Sequence, residues 1–358
     1  MKTAEESSVT LLAIESSCDE TAAAVVRDGR RILSDIIYSQ IKTHTLYGGV
    51  VPEIASRQHV EKISICVRRA LDEAGLSLAD MDGVAVTCGP GLVGALLVGV
   101  SFAKAAAYSV GLPLIGVHHI DGHISALYLE KPELQPPFLC LVASGGHSHL
   151  VLVRDYGIYE ILGQTRDDAA GEAFDKVARA LGLPYPGGPS IDRAAAEGDP
   201  HAYDFPQAKI DGASYDFSFS GLKSAVLNEL NRCQMSGESV RTADIAASFQ
   251  RAVVEVLVEH LTRAAEEFGM KTVAIAGGVA SNSCLRRTAE EACGERGLTF
   301  ICPGPRLCTD NAAMIGSAGY YAYIRGVRSD LSLNAQPNLP LGTRERRYHA
   351  NLKGGVSA

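Results

Sequence analysis

The residues with the most obvious chemistry are two histidines one helical turn apart. His119 and His123 lie in the stretch GVHHIDGHIS (116–125), which follows an apolar, strand-like run. If a helix begins near Ile120, both imidazoles lie on one face, because residues four apart are neighbours on a helix surface. Two such imidazoles can bind one metal ion, but a metal site normally needs a third protein ligand. Ordinary loop histidines are therefore the alternative.

A third ligand is available much later in the chain. Asp310 lies in RLCTDN, just before a run of small and apolar residues that predicts a helix. A carboxylate in that place is often only a helix cap. Two histidines and one carboxylate with open positions would suit iron(II) or zinc in a catalytic role. His118 is offset from the face of the other two histidines, which favours a structural role or a contact with one of the metal ligands.

Three turns have compositions that suit a nucleotide or an acid. The SGG turn (144–146) lies between two predicted strands, where small residues let backbone N–H groups point at an anion. The turn SCDE (17–20) occupies the same place in an earlier strand pair but carries two carboxylates. GGVASN (277–282) joins a buried strand to a helix, and Asn282 could contact a ligand there. An ordinary turn is the alternative in each case.

The elements that must position these residues occur twice. A strand, a turn and a second strand open the chain at 9–26, and the same succession begins again at 138. Each copy continues to a buried strand that ends in a glycine turn, which favours duplicated α/β domains facing a cleft. We predict domains at 1–135 and 136–326, a helical insert at about 166–269 in the second, and a loosely packed polar tail at 327–358.

Four helices are predicted from apolar spacing and from glycine stops. The apolar run from Gly91 to Gly111 is interrupted by Lys104 and by serines, so we interpret it as a buried core helix and not as a membrane span. The other predicted helices are about Gln58–Gly75, Thr242–Phe268 and Ala312–Ile324.

Composition limits the kinds of partner that the protein can bind and the cellular compartment in which it is expected. The chain has 358 residues, 36 glycines and a formal net charge of -8, so binding nucleic acid would need a local basic patch or a basic partner. Two basic clusters, Arg286/Arg287 and Arg344/Arg346/Arg347, could equally be solvated surface. Nine cysteines without a CxxC pair favour reduced thiols in the cytoplasm, and the acidic N-terminus is not typical of a secretory signal.

Taken together, nine ordered motifs between about Leu11 and Gly326 resemble a known family. They are AIESSCDETA, GGVVPEIASRQH, GPGLVGALLVG, HHIDGH, VASGGHS, DDAAGEAFDKVARALGLPYPGGP, FSFSGLKSA, AGGVASN and PRLCTDNAAMIG. The chain is similar to the tRNA N(6)-adenosine threonylcarbamoyltransferase family in its bacterial branch. The resemblance implies a duplicated actin-like ATPase fold, which agrees with the repeat.

The resemblance also implies a set of site residues. It places one divalent metal, iron(II) or zinc, on His119, His123 and Asp310. It places Asp19 and Glu20 beside the reacting centre. The implied contacts of the adenine nucleotide are Val142, Ala143, Ser144, Gly145, Gly146, Asp175, Gly188 and Asn282.

The implied reaction moves a threonylcarbamoyl group from threonylcarbamoyl-adenylate to the exocyclic amine of the adenosine beside the anticodon, in tRNAs that read ANN codons. The implied partners are tRNA, a shorter paralogous subunit, an ATPase subunit and an upstream synthase that supplies the adenylate. No membrane is implied, and the compartment is the cytoplasm.

Three other function classes are alternatives to this transferase. A metallopeptidase of the HExxH type would need a glutamate directly after the first histidine, where this chain has isoleucine. A sugar or acetate kinase would transfer phosphate from ATP to a small acceptor without tRNA. A non-catalytic nucleotide-binding subunit is disfavoured by the complete set of candidate metal ligands.

Overall fold

The computed structural model describes residues 8–207 and 215–342, which form two five-stranded sheets of matching topology. The strands are β1 (Thr10–Glu15), β2 (Glu20–Arg27), β3 (Arg31–Ser39), β4 (Gly83–Gly89), β5 (Leu114–His118), β6 (Phe138–Ala143), β7 (Ser148–Asp155), β8 (Ile158–Gln164), β9 (Thr272–Ala276) and β10 (Thr299–Ile301). Their orders are β3-β2-β1-β4-β5 and β10-β9-β6-β7-β8. In each sheet the first hairpins are antiparallel, and the later strands join in parallel.

Helices cover both sheets and fill the space between them. They are α1 (Ile41–Thr45), α2 (Pro52–Ala74), α3 (Val93–Val110), α4 (His119–Glu130), α5 (Ala170–Ala180), α6 (Gly187–Ala195), α7 (Ser220–Ser236), α8 (Thr242–Glu267), α9 (Ser283–Glu295), α10 (Pro305–Cys308) and α11 (Ala312–Ile324). The predicted helices in α8 and α11 are observed at nearly the predicted bounds.

The register of the two first hairpins makes the duplication specific. Glu15 pairs with Ala22 in the first sheet, and Val142 pairs with His149 in the second, so both pairs are seven positions apart. By this register the acidic turn 17–20 is the counterpart of the turn 144–147. The two halves therefore present different residues at one equivalent place.

Two helices lie between the sheets and carry the predicted metal ligands. Helix α11 packs on β1 and β2, while α4 packs on α11 and also reaches β6 and β9 of the other sheet. Gly122, in the middle of α4, makes this packing possible because a β-carbon there would collide with Ile315. The glycine thus permits the close approach of α4 and α11, and α4 continues through it from His119 to Glu130.

The two outer helices of the first half differ from prediction. Helix α2 begins at Pro52, six residues before the predicted start, because proline suits the first turn of a helix. Helix α3 is not a buried core helix: a third of its residues are buried, and Leu97 is 42% exposed. Its length and apolar composition alone would suffice to cross a membrane, yet its inner face packs on β4 and α2.

The prediction of a loosely packed tail is wrong for residues 327–342. Leu333 and Leu339 pack against the core of the first domain. The Gln336 N–H donates to the Cys88 carbonyl (2.7 Å), and the Ser329 hydroxyl accepts from the Gly116 N–H (3.1 Å). These long-range contacts fasten the segment beside β5, where sequence periodicity gives no signal. The cluster Arg344/Arg346/Arg347 lies outside the described residues.

Candidate active site

His118 fixes the start of the helix that carries the candidate metal ligands. Its Nδ1 accepts the Ile120 N–H (3.1 Å), and its Nε2 donates to the Leu339 carbonyl (3.0 Å). Burial lowers the pKa of His118 to about 4, so the imidazole is neutral at pH 7. A neutral ring with Nδ1 as acceptor is what an N-cap requires. The structural role predicted for His118 is therefore what the geometry shows.

The structure brings His119, His123 and Asp310 together, with their donor atoms all within 4.8 Å of one another. Asp310 Oδ1 lies 3.6 Å from His119 Nε2 and 3.3 Å from His123 Nε2. The buried Nδ1 of His123 has no hydrogen-bond partner among the described residues, and its Nε2 faces the Asp310 carboxylate. Buried polar atoms normally have partners, so an imidazole that faces a carboxylate in this way fits the role of a metal ligand. The residues present suit a divalent metal bound by two nitrogens and one carboxylate oxygen.

Asp310 does not cap the helix that follows it. The cap of α11 is Asn311, whose side-chain oxygen accepts the Met314 N–H (2.8 Å). The Asn311 amide also donates to the Thr309 carbonyl (2.8 Å), which braces the turn on both sides of Asp310. The local alternative for this carboxylate is thus taken by its neighbour, and Asp310 is left facing the histidines.

A buried glutamate that sequence reasoning missed stands behind the first histidine. Glu15 Oε2 lies 3.2 Å from His119 Nδ1 and accepts the Thr87 hydroxyl (2.6 Å), while Glu15 Oε1 accepts the Ser17 N–H. A carboxylate on the far nitrogen fixes the tautomer and orientation of a metal-binding histidine. The available signal was a charged residue inside the apolar strand LLAIES.

The electrostatics of this pocket favour positive charge. Burial opposes a charged His119, but the carboxylates of Asp310 and then Glu15 raise its pKa to about 9. Burial likewise opposes ionisation of Asp310, yet the nearby imidazoles, His119 first, lower its pKa to about 2. The pKa of Glu15 is also lowered, because His119 outweighs the cost of burial. The buried carboxylate of Glu15 and the half-buried carboxylate of Asp310 provide negative charge that a bound cation would balance.

The acidic turn lies beside this pocket and is held rigidly from behind. The Cys18 carbonyl accepts from His59 Nε2 (2.9 Å), and the Asp19 carbonyl accepts the Gln40 N–H (3.0 Å). Asp19 is buried, and its Oδ2 lies 3.5 Å from the Tyr185 hydroxyl on the opposite side of the cleft. Burial, and then the charge of Asp19, raise the pKa of Glu20 well above its usual value. Sequence reasoning missed both His59 and Tyr185.

The equivalent turn of the second half is open. Gly145 and Gly146 are exposed, and a side chain at either place would meet no atom within 4 Å. The turn closes through the Ser144 N–H, which donates to the His147 carbonyl (2.8 Å). Val142 and Ala143 point into the core, so only their backbone can contact a ligand. This turn offers unobstructed backbone to an anion.

A second glycine loop touches the first. Gly277 has φ +88°, and a β-carbon there would collide with the Ala143 carbonyl, so only glycine allows this approach. Asn282 caps α9: its oxygen accepts the Leu285 N–H (2.9 Å), and its amide donates to Gln250 (2.7 Å). Its side chain therefore holds the loop in shape, in addition to any contact with a ligand.

The remaining predicted residues lie on the insert. Asp175 Oδ1 accepts the Gly187 N–H (2.6 Å), and burial raises the pKa of this carboxyl. Gly188, the next residue along, has open space around it at the start of α6. Helix α5 begins against the SGG turn, because the Gly171 N–H donates to the Ser144 carbonyl (3.2 Å). The insert thus extends the open turn into one wall of the cleft.

Comparison with known sequences gives consistent results. A family model described as "TsaD: tRNA N6-adenosine threonylcarbamoyltransferase" matches residues 31–317. A protein of that name from Clostridium botulinum (strain Hall) is 59% identical over 337 residues, which are 94% of this chain and 99% of the relative. One from Clostridioides difficile (strain 630) is 58% identical over 335 residues, 94% of this chain and 99% of the relative.

Solved structures with low sequence identity share the fold. Full-length HypF, in its phosphate- and nucleotide-bound form, matches with a TM-score of 0.60 at 16% identity, over 90% of this chain and 47% of that one. Component A of the Acidaminococcus fermentans (R)-2-hydroxyglutaryl-CoA dehydratase matches with a TM-score of 0.51 at 16% identity, over 89% of this chain and all of that one. The predicted actin-like ATPase fold is confirmed.

Proposed function

The chain belongs to the tRNA N6-adenosine threonylcarbamoyltransferase family and is a transferase, and from this premise we propose its reaction in detail. The substrate is threonylcarbamoyl-adenylate, and the acceptor is the N6 amine of the adenosine beside the anticodon in tRNAs that read ANN codons. AMP is the leaving group. The observation that carries the proposal is the position of a cation-binding cluster beside open glycine turns.

In this proposal His119, His123 and Asp310 hold one divalent ion, iron(II) or zinc. Bound there, such an ion would supply a Lewis acid for a carbonyl or phosphate oxygen. Glu15 orients His119 and keeps its Nε2 free for the ion. The geometry supports this role, since the two Nε2 atoms converge on one carboxylate oxygen.

The adenylate would lie along the second half of the cleft. Backbone of Val142–Gly146 would contact its phosphate, because N–H groups of an open turn attract an anion. Asp175 and Gly188 would line the insert side, and Asn282 would hold the loop 277–282 against the nucleotide. Such fixation places the carbamoyl carbon for attack and lowers the entropic part of the barrier.

Asp19 and Glu20 are the candidates for accepting the amine proton. Their turn faces the same cleft, and burial together with the charge of Asp19 raises the pKa of Glu20, which makes its carboxylate a stronger base than an ordinary glutamate. The hydroxyl of Tyr185 would orient Asp19. Two features support this assignment: both carboxyl groups lie in the turn that faces the cleft, and carboxylates can accept a proton.

The test is reconstitution of the transfer with the chain, its partners, ATP, labelled threonine and tRNA. We expect modified tRNA to appear, and a chelator to abolish it until metal is restored. Asp19→Asn and Glu20→Gln should lower the rate while leaving metal content unchanged. Normal transfer by both variants would remove the acidic turn from the mechanism. Transfer that survives complete removal of metal would refute the metal's role.

A peptidase is not supported by the arrangement. The residue that would need to be glutamate in a zinc peptidase is Ile120, which is fully buried. The acid nearest to it in sequence, Asp121, is bound by Tyr159 and Ser125 and is not available as a base. Absence of proteolysis by preparations that modify tRNA would separate the two activities.

The partners and the compartment are also proposed. We expect a shorter paralogous TsaB-like subunit, a TsaE-like ATPase subunit and an upstream synthase in the cytoplasm. The docking face for the paralogue would be the groove between α2 and α3, which is lined by Val60, Ile63, Leu97 and Phe102. Arg286 binds the backbone of Ala280 and Pro303, which makes it a structural residue rather than a free contact for tRNA.

A further inference from the structure

Two thiols lie together under the loops of the active site. Cys302 follows β10, and Cys308 ends α10, so five residues separate them. Both sulfurs lie against the same Pro303 carbonyl oxygen, at 3.6 Å and 3.4 Å, so the two thiols share one acceptor. All nine cysteines are free. Cys302 is partly exposed, whereas Cys308 is completely buried.

The environment connects this pair to both sides of the active site. Cys302 Sγ lies 3.7 Å from the carbonyl of Ala280, in the glycine loop 277–282. Cys308 precedes Asp310 by two residues and has an Arg286 guanidinium nitrogen 3.1 Å from its sulfur. The same arginine donates to the Ala280 carbonyl (2.6 Å). A change at these sulfurs would therefore act on the nucleotide loop and on the third metal ligand.

We propose that Cys302 and Cys308 form a reversible disulfide when the protein meets a hydroperoxide, and that this bond weakens the metal site. The accessible Cys302 thiol attacks the peroxide O–O bond, becomes a sulfenic acid and releases an alcohol, or water from hydrogen peroxide. Cys308 sulfur then displaces the sulfenic oxygen as water. In total the two thiols lose two protons and two electrons, which reduce the peroxide to an alcohol, or water, and a second water.

The bond would strain the segment that holds Asp310. Sulfurs in a disulfide are about 2 Å apart with a narrow range of dihedral angles, so the two non-bonded sulfurs must move toward each other. The short helix α10 lies between them and passes directly into Thr309 and Asp310. Cys308 would also leave the Arg286 nitrogen, which now contacts its sulfur. Asp310 would then no longer meet both histidines.

The formation of the disulfide is independent of the proposed function, whereas its effect on the metal rests on that proposal. The full chain is loaded with zinc, exposed to hydrogen peroxide, alkylated and mapped by mass spectrometry. We expect one peptide pair joined at 302 and 308, with loss of two hydrogens, reversed by dithiothreitol. Zinc retention against a chelator should fall at least about 10-fold in the oxidised form and recover on reduction.

Matched variants complete the test. Cys302→Ser and Cys302→Ala should keep zinc under peroxide, while Cys284→Ser, which removes another partly exposed thiol, should behave as wild type. Peroxide treatment that yields only sulfinic acids or other linkages would overturn the disulfide. A 302–308 link with unchanged zinc retention would overturn the regulation. A failure of the proposed function would look different, as absence of transfer by the reduced, zinc-loaded enzyme.

Discussion

The first turns of the two halves occupy equivalent places and have opposite chemistry. Where the first half buries the carboxylate of Glu15, the second has Val142 at the same register position. Where the first turn carries Asp19 and Glu20, the second carries Gly146 and His147. The first turn is acidic, and its Cys18 carbonyl accepts a hydrogen bond from His59. The second turn exposes the backbone of Gly145 and Gly146.

This difference shows how a duplicated fold builds an asymmetric site. The repeated strands bring two turns to one cleft, and a few substitutions then decide which side holds a cation and which side holds an anion. The cation side depends on buried charge, which is costly unless it is paired. The anion side depends on the absence of side chains. Four changes test this division, beginning with the largest expected effect.

On the cation side, removal of one metal ligand should abolish metal binding and transfer activity. His123→Ala removes an imidazole whose Nδ1 has no hydrogen-bond partner in the described part of the chain and whose Nε2 lies 3.3 Å from Asp310 Oδ1. We expect metal content to fall to less than about a tenth of one ion per chain, and transfer to fall at least about 100-fold. Elemental analysis and the reconstituted assay measure the two effects.

His201→Ala is the matched control, because His201 is an exposed histidine in the second half. It should retain both metal and activity. A His123→Ala protein that binds one ion per chain with normal affinity would show that the cluster is not the metal site.

The next effect concerns Glu15, the residue that most clearly distinguishes the two turns. Glu15→Gln keeps the shape of the side chain but removes the charge beside His119 Nδ1. Loss of a carboxylate that hydrogen-bonds to a metal-binding histidine typically lowers metal affinity about 10- to 100-fold. Competition with a chelator measures this affinity.

Glu20→Gln serves as the control, because Glu20 lies in the adjacent acidic turn and its carboxylate accepts a hydrogen bond from Ser39 instead of facing His119. Its metal affinity should stay within about 2-fold of wild type, since the change lies outside the outer shell. Equal affinities for the Glu15 and Glu20 variants would mean that the buried carboxylate of the first half is only structural.

The anion side should respond to charge and not to size. Gly146→Asp gives the second turn the residue found at the equivalent position of the first, and open space surrounds the new side chain. We expect the Kd for the adenine nucleotide to rise about 10-fold, because a like charge near a phosphate costs on the order of 1 kcal/mol in this exposed setting. Calorimetry of nucleotide binding measures it.

Gly146→Asn is almost the same size and carries no charge, so it should bind nucleotide much more tightly than Gly146→Asp. The free energy of unfolding of both variants should stay within about 0.5 kcal/mol of wild type, as for most exposed positions. If both variants bind nucleotide equally, the turn is not where the phosphate lies.

Many of the elements and residues compared above could be predicted from the sequence. Local hydrophobic patterns predicted strands and helices, and the bounds of α11 were predicted because a strong apolar run follows Asp310. The three metal-ligand candidates came from spacing together with ordered motifs. What could not be predicted depends on contacts between distant residues. Glu15 and His119 are 104 positions apart, and Tyr185 reaches Asp19 from 166 positions away.

The wrong predictions have a similar cause. The apolar composition of α3 indicates burial but does not reveal that, among residues 8–207 and 215–342, no element covers one of its faces. The segment 327–342 has no periodicity, and only its contacts with Cys88 and Gly116 show that it is packed. In both cases composition described the residues correctly, while the tertiary neighbours decided their exposure.

That exposed face supplies the smallest effect on the isolated chain. In the second half α8 packs against α6 and α9, whereas Leu97 and Val60 remain exposed on α3 and α2. Leu97→Asp should lower the free energy of unfolding by about 1 kcal/mol or less, because Leu97 is 42% exposed. It should nevertheless weaken binding of the shorter paralogous subunit about 30-fold, the size of a hot-spot loss of about 2 kcal/mol.

Met235→Asp, on the exposed surface of α7, is the control and should bind the paralogous subunit with wild-type affinity. Wild-type affinity of Leu97→Asp would exclude this groove as the docking face and leave the asymmetry between the halves confined to the cleft.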